Sequence, residues 1–222
     1  MYKNLFFDLD GTLSNPTEGI INSLKYGLAK LDIPLPSDKI LQTFIGPPLK
    51  DSLMHEVGLA ENVADKAIQY FREYFAEKGL YENYLYRGIP ELLAVLSQEY
   101  NLFVATSKPE KYAKQILEHF ALSQYFTGIY GATMDSTRSK KGDVICYALA
   151  SETITDLATC LMIGDTKYDI YGAHENGIAS VGVLWGMGDK ASLEQAQATF
   201  IIEKPNNLKD IVSDSLLDYT NK

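Results

Sequence analysis

From Arg87 onward the chain alternates helical patterning with short apolar runs, and no other feature narrows the fold as far. Helical spacing at Ile89 to Glu99 precedes an apolar run at Leu102 to Thr106, and a helical stretch at Glu110 to His119 precedes a short run near Gly128 to Gly131. The pattern repeats through a helix at Gly142 to Ala150, a run at Thr159 to Ile163, a helix at Tyr168 to Glu175 and a run at Ala179 to Leu184. Strands that alternate with helices require crossover connections, and these generate a parallel sheet.

One further strand stands apart from this series. Leu5, Phe6 and Phe7 form a continuous apolar run near the N-terminus, which suits a strand covered on both faces and places it with the later strands. Between it and Arg87 the texture is helical only. Ile20, Ile21, Leu24, Leu28 and Leu31 line one face until "DIPLP" stops the helix. Shorter helical stretches follow around Ile40 to Phe44 and over Leu49 to Val57. A last one runs from Val63 to Lys78, with Ala64, Ile68, Phe71 and Phe75 on one stripe. The expectation is an α/β protein: residues 1–16 and 81–222 form a parallel-sheet core of Rossmann-like type, and residues 17–80 form a small helical bundle inserted after the first strand. Asn15, Pro16 and the segment from Tyr81 to Gly88 are the expected hinges. The tail from Asn206 reads as a closing helix that frays at Thr220 to Lys222.

The first strand ends on charge, in "LFFDLDGTLSNP". Asp8 and Asp10 stand where an apolar run meets turn formers, at the carboxyl end of a central strand, which is where parallel sheets bind ligands. Two carboxylates held close together repel, so the pair calls for a cation or a proton. Other strand ends carry polar groups too. The run at Leu102 to Thr106 ends in Thr106, Ser107 and Lys108, and a hydroxyl with backbone N–H groups at a helix start makes a phosphate-binding corner. The run at Thr159 to Ile163 ends in "GDTKYD", which sets Asp165 at the strand end and Asp169 one helical turn later. Mg²⁺ takes oxygen ligands and needs only one or two carboxylates beside a substrate phosphate, so acidic groups from two strand ends suffice for it. Before the helix at Gly142, Lys140 and Lys141 could each neutralise phosphate. Taken singly, each of these segments also reads as a helix cap or a solvated face.

Composition limits the partners. The formal charge of -9 disfavours nucleic acid and anionic membrane, so positive potential for an anionic substrate has to be made locally. Cys146 and Cys160 lie in apolar surroundings and read as reduced core residues. Without a long uncharged apolar stretch or a signal-like N-terminus, a cytoplasmic protein is expected, as monomer or homodimer. His55, His119 and His174 lack metal-ligand spacing. "GVLWGMG" lacks the glycine spacing of a dinucleotide site, and Trp185 is expected to pack between bundle and core.

Taken together, Asp-x-Asp-Gly-Thr, Thr-Ser, a lysine and Gly-Asp-x-x-x-Asp, in this order and at expected strand ends, resemble the haloacid dehalogenase superfamily over essentially the whole chain. The helical insertion resembles that family's C1 cap, as in the phosphoglycolate phosphatase-like members. The resemblance implies a Mg²⁺-dependent phosphatase acting on a small phosphorylated metabolite. Asp8 is then the nucleophile that forms an aspartyl-phosphate. Asp10 is the general acid and base, and its carbonyl is a metal ligand. Asp8 and Asp165 supply metal carboxylates, with Asp169 a ligand or a partner behind the ligands. Thr106, Ser107 and a lysine hold the phosphoryl oxygens, with Lys141 preferred over Lys140. Gly46, Pro47 and Lys50 of the cap are candidates for substrate recognition. Asp10 argues against a dehalogenase and a phosphonatase. Thr12, and the lack of an arginine in "FIGPPLKDSL", argue against a phosphomutase of the beta-phosphoglucomutase type. Phosphoglycolate, a nucleoside 5'-monophosphate and pyrophosphate remain open as substrates, and a noncatalytic binding protein is the remaining alternative.

Overall fold

The computed structural model describes residues 1–44, 49–135 and 137–214. The chain divides into two compact units, Met1–Ser14 with Leu85–Lys222, and Asn15–Tyr84.

The first unit is built on a six-stranded sheet. Its strands are β1 (Asn4–Phe7), β4 (Asn101–Pro109), β5 (Gly128–Ala132), β6 (Cys160–Gly164), β7 (Ala179–Val183) and β8 (Phe200–Ile202). Their order is β5-β4-β1-β6-β7-β8 and every pairing is parallel. From β1 the chain winds outward through β4 and β5, then returns to lay β6 on the other side of β1. That reversal opens a crevice at the carboxyl ends of β1 and β6, where the sequence puts aspartates. Registers fix the levels: Phe7 lies beside Val104 on one side and Ile163 on the other. The residues that follow, Asp8, Ala105 and Gly164, therefore emerge together.

The strands are apolar on both faces because helices cover both. The helices are α5 (Ile89–Leu96), α6 (Glu110–His119), α7 (Lys141–Ser151), α8 (Lys167–Glu175), α9 (Lys190–Gln195) and α10 (Asn207–Asp214). One buried cluster joins Phe6, Phe103, Ala105 and Met162 of the sheet to Val144, Ile145, Ala148 and Leu149 of α7. Phe6 and Phe103 stack with ring centroids 4.9 Å apart. On α7 the buried positions 144, 145, 148 and 149 face the sheet. Cys146 falls on the opposite side and is exposed, contrary to the expectation of a core cysteine, while Cys160 is buried in β6. The short α9 and β8, beyond the run ending at Leu184, were not anticipated. A helix of six residues and a strand of three carry too little periodicity to register in a sequence pattern.

The second unit is helical. It contains α1 (Thr17–Ala29), α2 (Asp38–Gln42), α3 (Leu49–Glu56) and α4 (Glu61–Tyr74), followed by a π-helical turn over Phe75–Gly79. Leu24, Leu28, Leu41, Phe44, Leu53, Ala64 and Ala67 form its own buried core, with Ile20, Ile21, Leu31, Ile68 and Phe71 packed around it. The π turn ends the long helix at Tyr74, short of the expected Lys78. Two-residue strands β2 (Ser14–Asn15) and β3 (Tyr84–Leu85) pair where the chain passes from one unit to the other. The expected fraying at Thr220 to Lys222 lies outside the described residues. Among the described residues no helix is long and apolar enough to cross a membrane.

The Phe6–Phe103 stack anchors the sheet to α7, so its loss should leave a cavity that neighbouring backbone cannot fill. Phe103→Ala is expected to lower unfolding free energy by about 3–5 kcal/mol, read from urea unfolding followed by circular dichroism. A loss below about 1 kcal/mol would mean that the sheet repacks around the gap.

Candidate active site

The end of β1 sets the first carboxylates. Asp8 N–H still belongs to the ladder, donating to Ile163 O at 2.9 Å, while its side chain leaves the sheet. Asp8 Oδ1 accepts from Leu9 N–H at 2.8 Å and lies 2.7 Å from Lys141 Nζ. The chain then turns sharply. Gly11 has φ +84°, and a Cβ there would stand 2.1 Å from Asp165 Oδ2. Only glycine permits both this backbone and this approach.

Lys141 is the first residue of α7, and its side chain is 4% exposed. Its ammonium lies 2.7 Å from Asp8 Oδ1 and 2.8 Å from Asp169 Oδ1, and donates to Ala105 O at 3.0 Å. Lys140, the alternative, is exposed. Burial alone would pull the Lys141 ammonium down, but Asp169 and Asp8 outweigh it and hold the group above its ordinary value.

At the end of β6, Asp165 and Asp169 are fully buried. Asp169 is the N3 residue of α8, and its Oδ2 accepts from Thr166 N–H at 3.0 Å and from Thr166 Oγ1 at 2.9 Å, closing a capping box. Asp169 thus serves the helix start and Lys141 together. Asp165 Oδ1 accepts from Thr12 Oγ1 at 3.3 Å, and its Oδ2 accepts from Met187 N–H at 2.8 Å. Burial, with Asp169 and Asp8 nearby, pushes its carboxyl up to about 7.

Thr106 is buried and its hydroxyl accepts from Lys108 N–H at 3.2 Å, which orients that hydroxyl's own hydrogen elsewhere. Ser107 is exposed at the same strand end. Asp10 Oδ2 lies 2.5 Å from Lys108 Nζ, and Asp10 Oδ1 is buried without a hydrogen-bond partner among the described residues. The structure therefore gathers Asp8, Lys141, Asp165 and Asp169 tightly, and sets Asp10 and Thr106 on the same carboxyl edge. In the other unit Lys50 lies 2.9 Å from Glu61 and 2.8 Å from Asp65, so its charge is balanced on its own helices. Gly46 and Pro47 lie outside the described residues.

Two contributors escaped the sequence reading. The loop after β7 closes on Asp165: beyond the Met187 N–H, a Cβ on Gly186 would stand 2.3 Å from Gly11 O and from Asp165 Cβ. Trp185 secures that loop within the core unit by donating from Nε1 to Thr12 O at 2.9 Å. The glycines of "GVLWGMG" were the available signal, and their position after a strand end was the clue. Lys108 is the second contributor. It was visible in "TSKP" but passed over in favour of the two lysines before α7.

Asp8, Asp165 and Asp169 each offer a ligand oxygen within 4.8 Å of the others. Three buried carboxylates face one buried ammonium, an imbalance that a divalent cation would correct, and the donors are all hard oxygen. The residues fit such an ion. No histidine or cysteine joins the cluster among the described residues.

The chain is similar to known proteins over most of its length. The model of the haloacid dehalogenase-like hydrolases matches residues 5–183. A 5'-nucleotidase of Pseudomonas aeruginosa is 45% identical over 199 residues, covering 89% of this chain and 90% of that protein. The tyrosine-protein kinase PtkA of Mycobacterium tuberculosis is 37% identical over 199 residues, covering 89% of this chain and 67% of that protein. Phosphoglycolate phosphatases stand among the more distant relatives. The solved structure of a predicted phosphatase from Clostridium acetobutylicum superimposes with a TM-score of 0.86 at 44% identity, covering 96% of this chain and 99% of that one.

Because Asp165 binds its proton more tightly folded than unfolded, metal-free protein should lose stability as pH rises from about 4 through about 7. In chelator the thermal midpoint is expected to fall between pH 5 and pH 8, and less steeply in Asp165→Asn. Added Mg²⁺ should raise the midpoint most at the upper end, where the carboxylates are ionised. A flat wild-type profile in chelator would mean that Asp165 is already ionised at pH 5.

Proposed function

The chain belongs to the haloacid dehalogenase-like hydrolases and acts as a phosphatase, and from that premise we propose that it hydrolyses nucleoside 5'-monophosphates through an aspartyl-phosphate on Asp8. The observation that carries the reading is the buried set of Asp8, Asp165 and Asp169 around the Lys141 ammonium, at the reversal point of the sheet. Phosphoryl transfer asks a protein chiefly for positioning and for charge stabilisation, and this set supplies both.

Lys141 and the Leu9 N–H both hold Asp8 Oδ1, which fixes the carboxylate's rotation and leaves Oδ2 to attack phosphorus. As that bond forms, the bond from phosphorus to the ester oxygen breaks, and the departing oxygen takes a proton from Asp10. Water then attacks the aspartyl-phosphate while Asp10 accepts its proton, and Asp8 is regenerated. The Thr106 hydroxyl and the Ser107 N–H hold the phosphoryl oxygens, and Lys141, whose three N–H donors go to Asp8, Asp169 and Ala105 O, adds its positive charge beside them. Asp8, Asp165 and the Asp10 carbonyl would hold Mg²⁺, with Asp169 completing the acidic wall. The ion would supply charge neutralisation for the phosphoryl group. Asp169, tied to Thr166 and Lys141, chiefly keeps that lysine in place.

The substrate class rests on the relative named a 5'-nucleotidase, which is similar over nine-tenths of both chains. Phosphoglycolate is the second reading, favoured by the helical insertion and by the more distant relatives. Phosphate release should be measured on nucleoside monophosphates, phosphoglycolate, sugar phosphates and pyrophosphate, with Mg²⁺ or with EDTA. Mg²⁺-dependent release with nucleoside monophosphates foremost is expected, and Asp8→Asn should lower kcat on the order of 10³-fold or more. Preference for phosphoglycolate would move the assignment to that substrate. Full activity of Asp8→Asn would remove Asp8 as nucleophile.

A further inference from the structure

Asp10 is held in an unusual way for a group that has to exchange a proton with two different oxygens. Its Oδ2 is taken by Lys108 Nζ at 2.5 Å, and the Lys108 side chain is 8% exposed. Its Oδ1 is buried and has no hydrogen-bond partner among the described residues. A buried carboxylate oxygen without a partner is costly to maintain, and a catalytic role is one reason such an atom is kept. One oxygen is thus anchored and the other is kept available.

The backbone explains how the lysine arrives there. β4 pairs with β5 in register through Thr106↔Gly131, then slips before Pro109↔Ala132. Irregularities of this kind re-aim side chains beside active sites. The slip takes residues 107 and 108 out of the ladder, and the Lys108 N–H then bonds the Thr106 hydroxyl instead of a neighbouring strand. The same irregular turn presents the Thr106 hydroxyl and sends the Lys108 ammonium to Asp10.

We propose that Lys108 is a positioning residue for Asp10: it clamps Oδ2 so that Oδ1 is the atom that gives a proton to the leaving oxygen and later takes one from water. This rests on the phosphatase reading above. In the first step the proton on Oδ1 moves to the ester oxygen as its bond to phosphorus breaks, and the negative charge left on Asp10 develops beside the ammonium. In the second step a water proton returns to Oδ1 as water bonds to phosphorus and the Asp8 oxygen departs. Lys108 keeps its own protons throughout, so no further reactant is needed.

A residue that acts through the general acid matters most when the leaving group is poor. Lys108→Met, close in length and uncharged, and Lys108→Arg, which keeps the charge, should be compared with wild type and Asp10→Asn. Substrates are 4-nitrophenyl phosphate, phenyl phosphate and a nucleoside 5'-monophosphate, which run from good to poor leaving group. Lys108→Met should lower kcat/KM, which reports only the first step, about 100-fold or more on the nucleotide and only about 3-fold on 4-nitrophenyl phosphate, the slope shown by loss of an acid. Lys108→Arg should recover part of the nucleotide rate, and the double variant with Asp10→Asn should be no slower than Asp10→Asn alone. Thermal midpoints of all variants monitor folding.

A uniform loss of kcat/KM across the three substrates, or a raised KM with kcat intact, would overturn the proposal in favour of a structural or substrate-binding lysine. So would a double variant slower than Asp10→Asn by the full factor of Lys108→Met. If Asp10→Asn itself shows no leaving-group slope, the assignment of Asp10 fails and the role of Lys108 goes with it. A steep Asp10→Asn slope beside a flat Lys108→Met slope overturns the lysine alone.

Discussion

A single buried ammonium organises the catalytic end of this molecule. Lys141 Nζ touches Asp8, Asp169 and the Ala105 carbonyl, which come from the ends of β1 and β4 and the start of α8. Taking a lysine out of water is expensive, and the interaction is sustainable because all of its neighbours are oxygen and two are charged. Removing the lysine would leave two carboxylates facing each other in a dry site, a worse situation than either charge alone. The position of α7, the start of α8 and the level of β1 against β4 are therefore coupled through one atom. The hydrophobic contact of α7 with the sheet supplies the stability that lets this polar contact be held in one geometry.

The same contact leaves the site short of positive charge. Three carboxylates and one ammonium leave an excess of negative charge, yet a phosphomonoester brings more of it. On the proposed function a cation would come with such a substrate, and the hard-oxygen donor set suits one. The overall charge of -9 sharpens the point, since no diffuse positive field from the surface would draw an anion in.

Legibility from sequence followed the strength of local patterning. The parallel sheet was readable because each strand is a compact apolar run and each crossover is a helix with its own stripe. The helical segment was readable because Leu24, Leu28, Ala64 and Phe71 fall at helical spacing. Asp8, Asp165 and Lys141 were legible because each sits where an apolar run or a helix begins or ends. What stayed hidden depended on tertiary approach. The loop at Trp185 to Gly188 matters because it folds onto Asp165 and Thr12, which are far from it in the chain, and glycine spacing alone does not announce its target. Lys108 required knowledge of a register slip, which is a relation between two strands and is not encoded in either one. Cys146 shows the converse error, in which apolar neighbours suggested burial although its own position on the helix faces away from the sheet.

The division of labour among these groups bears on specificity. On the proposed function Asp8, Lys141, Thr106 and the acidic cluster would all serve the phosphoryl group, which every phosphomonoester presents alike. Such groups would set the reaction and be indifferent to what departs. Asp10 would be the exception in the core, because in that reading it meets the leaving oxygen. Its partner Lys108 belongs to the same short turn as Thr106, so residues 106 to 108 would join phosphoryl recognition to departure of the leaving group. On that reading a change in the turn shifts both together, whereas a change at Asp165 or Lys141 weakens the chemistry for every substrate equally.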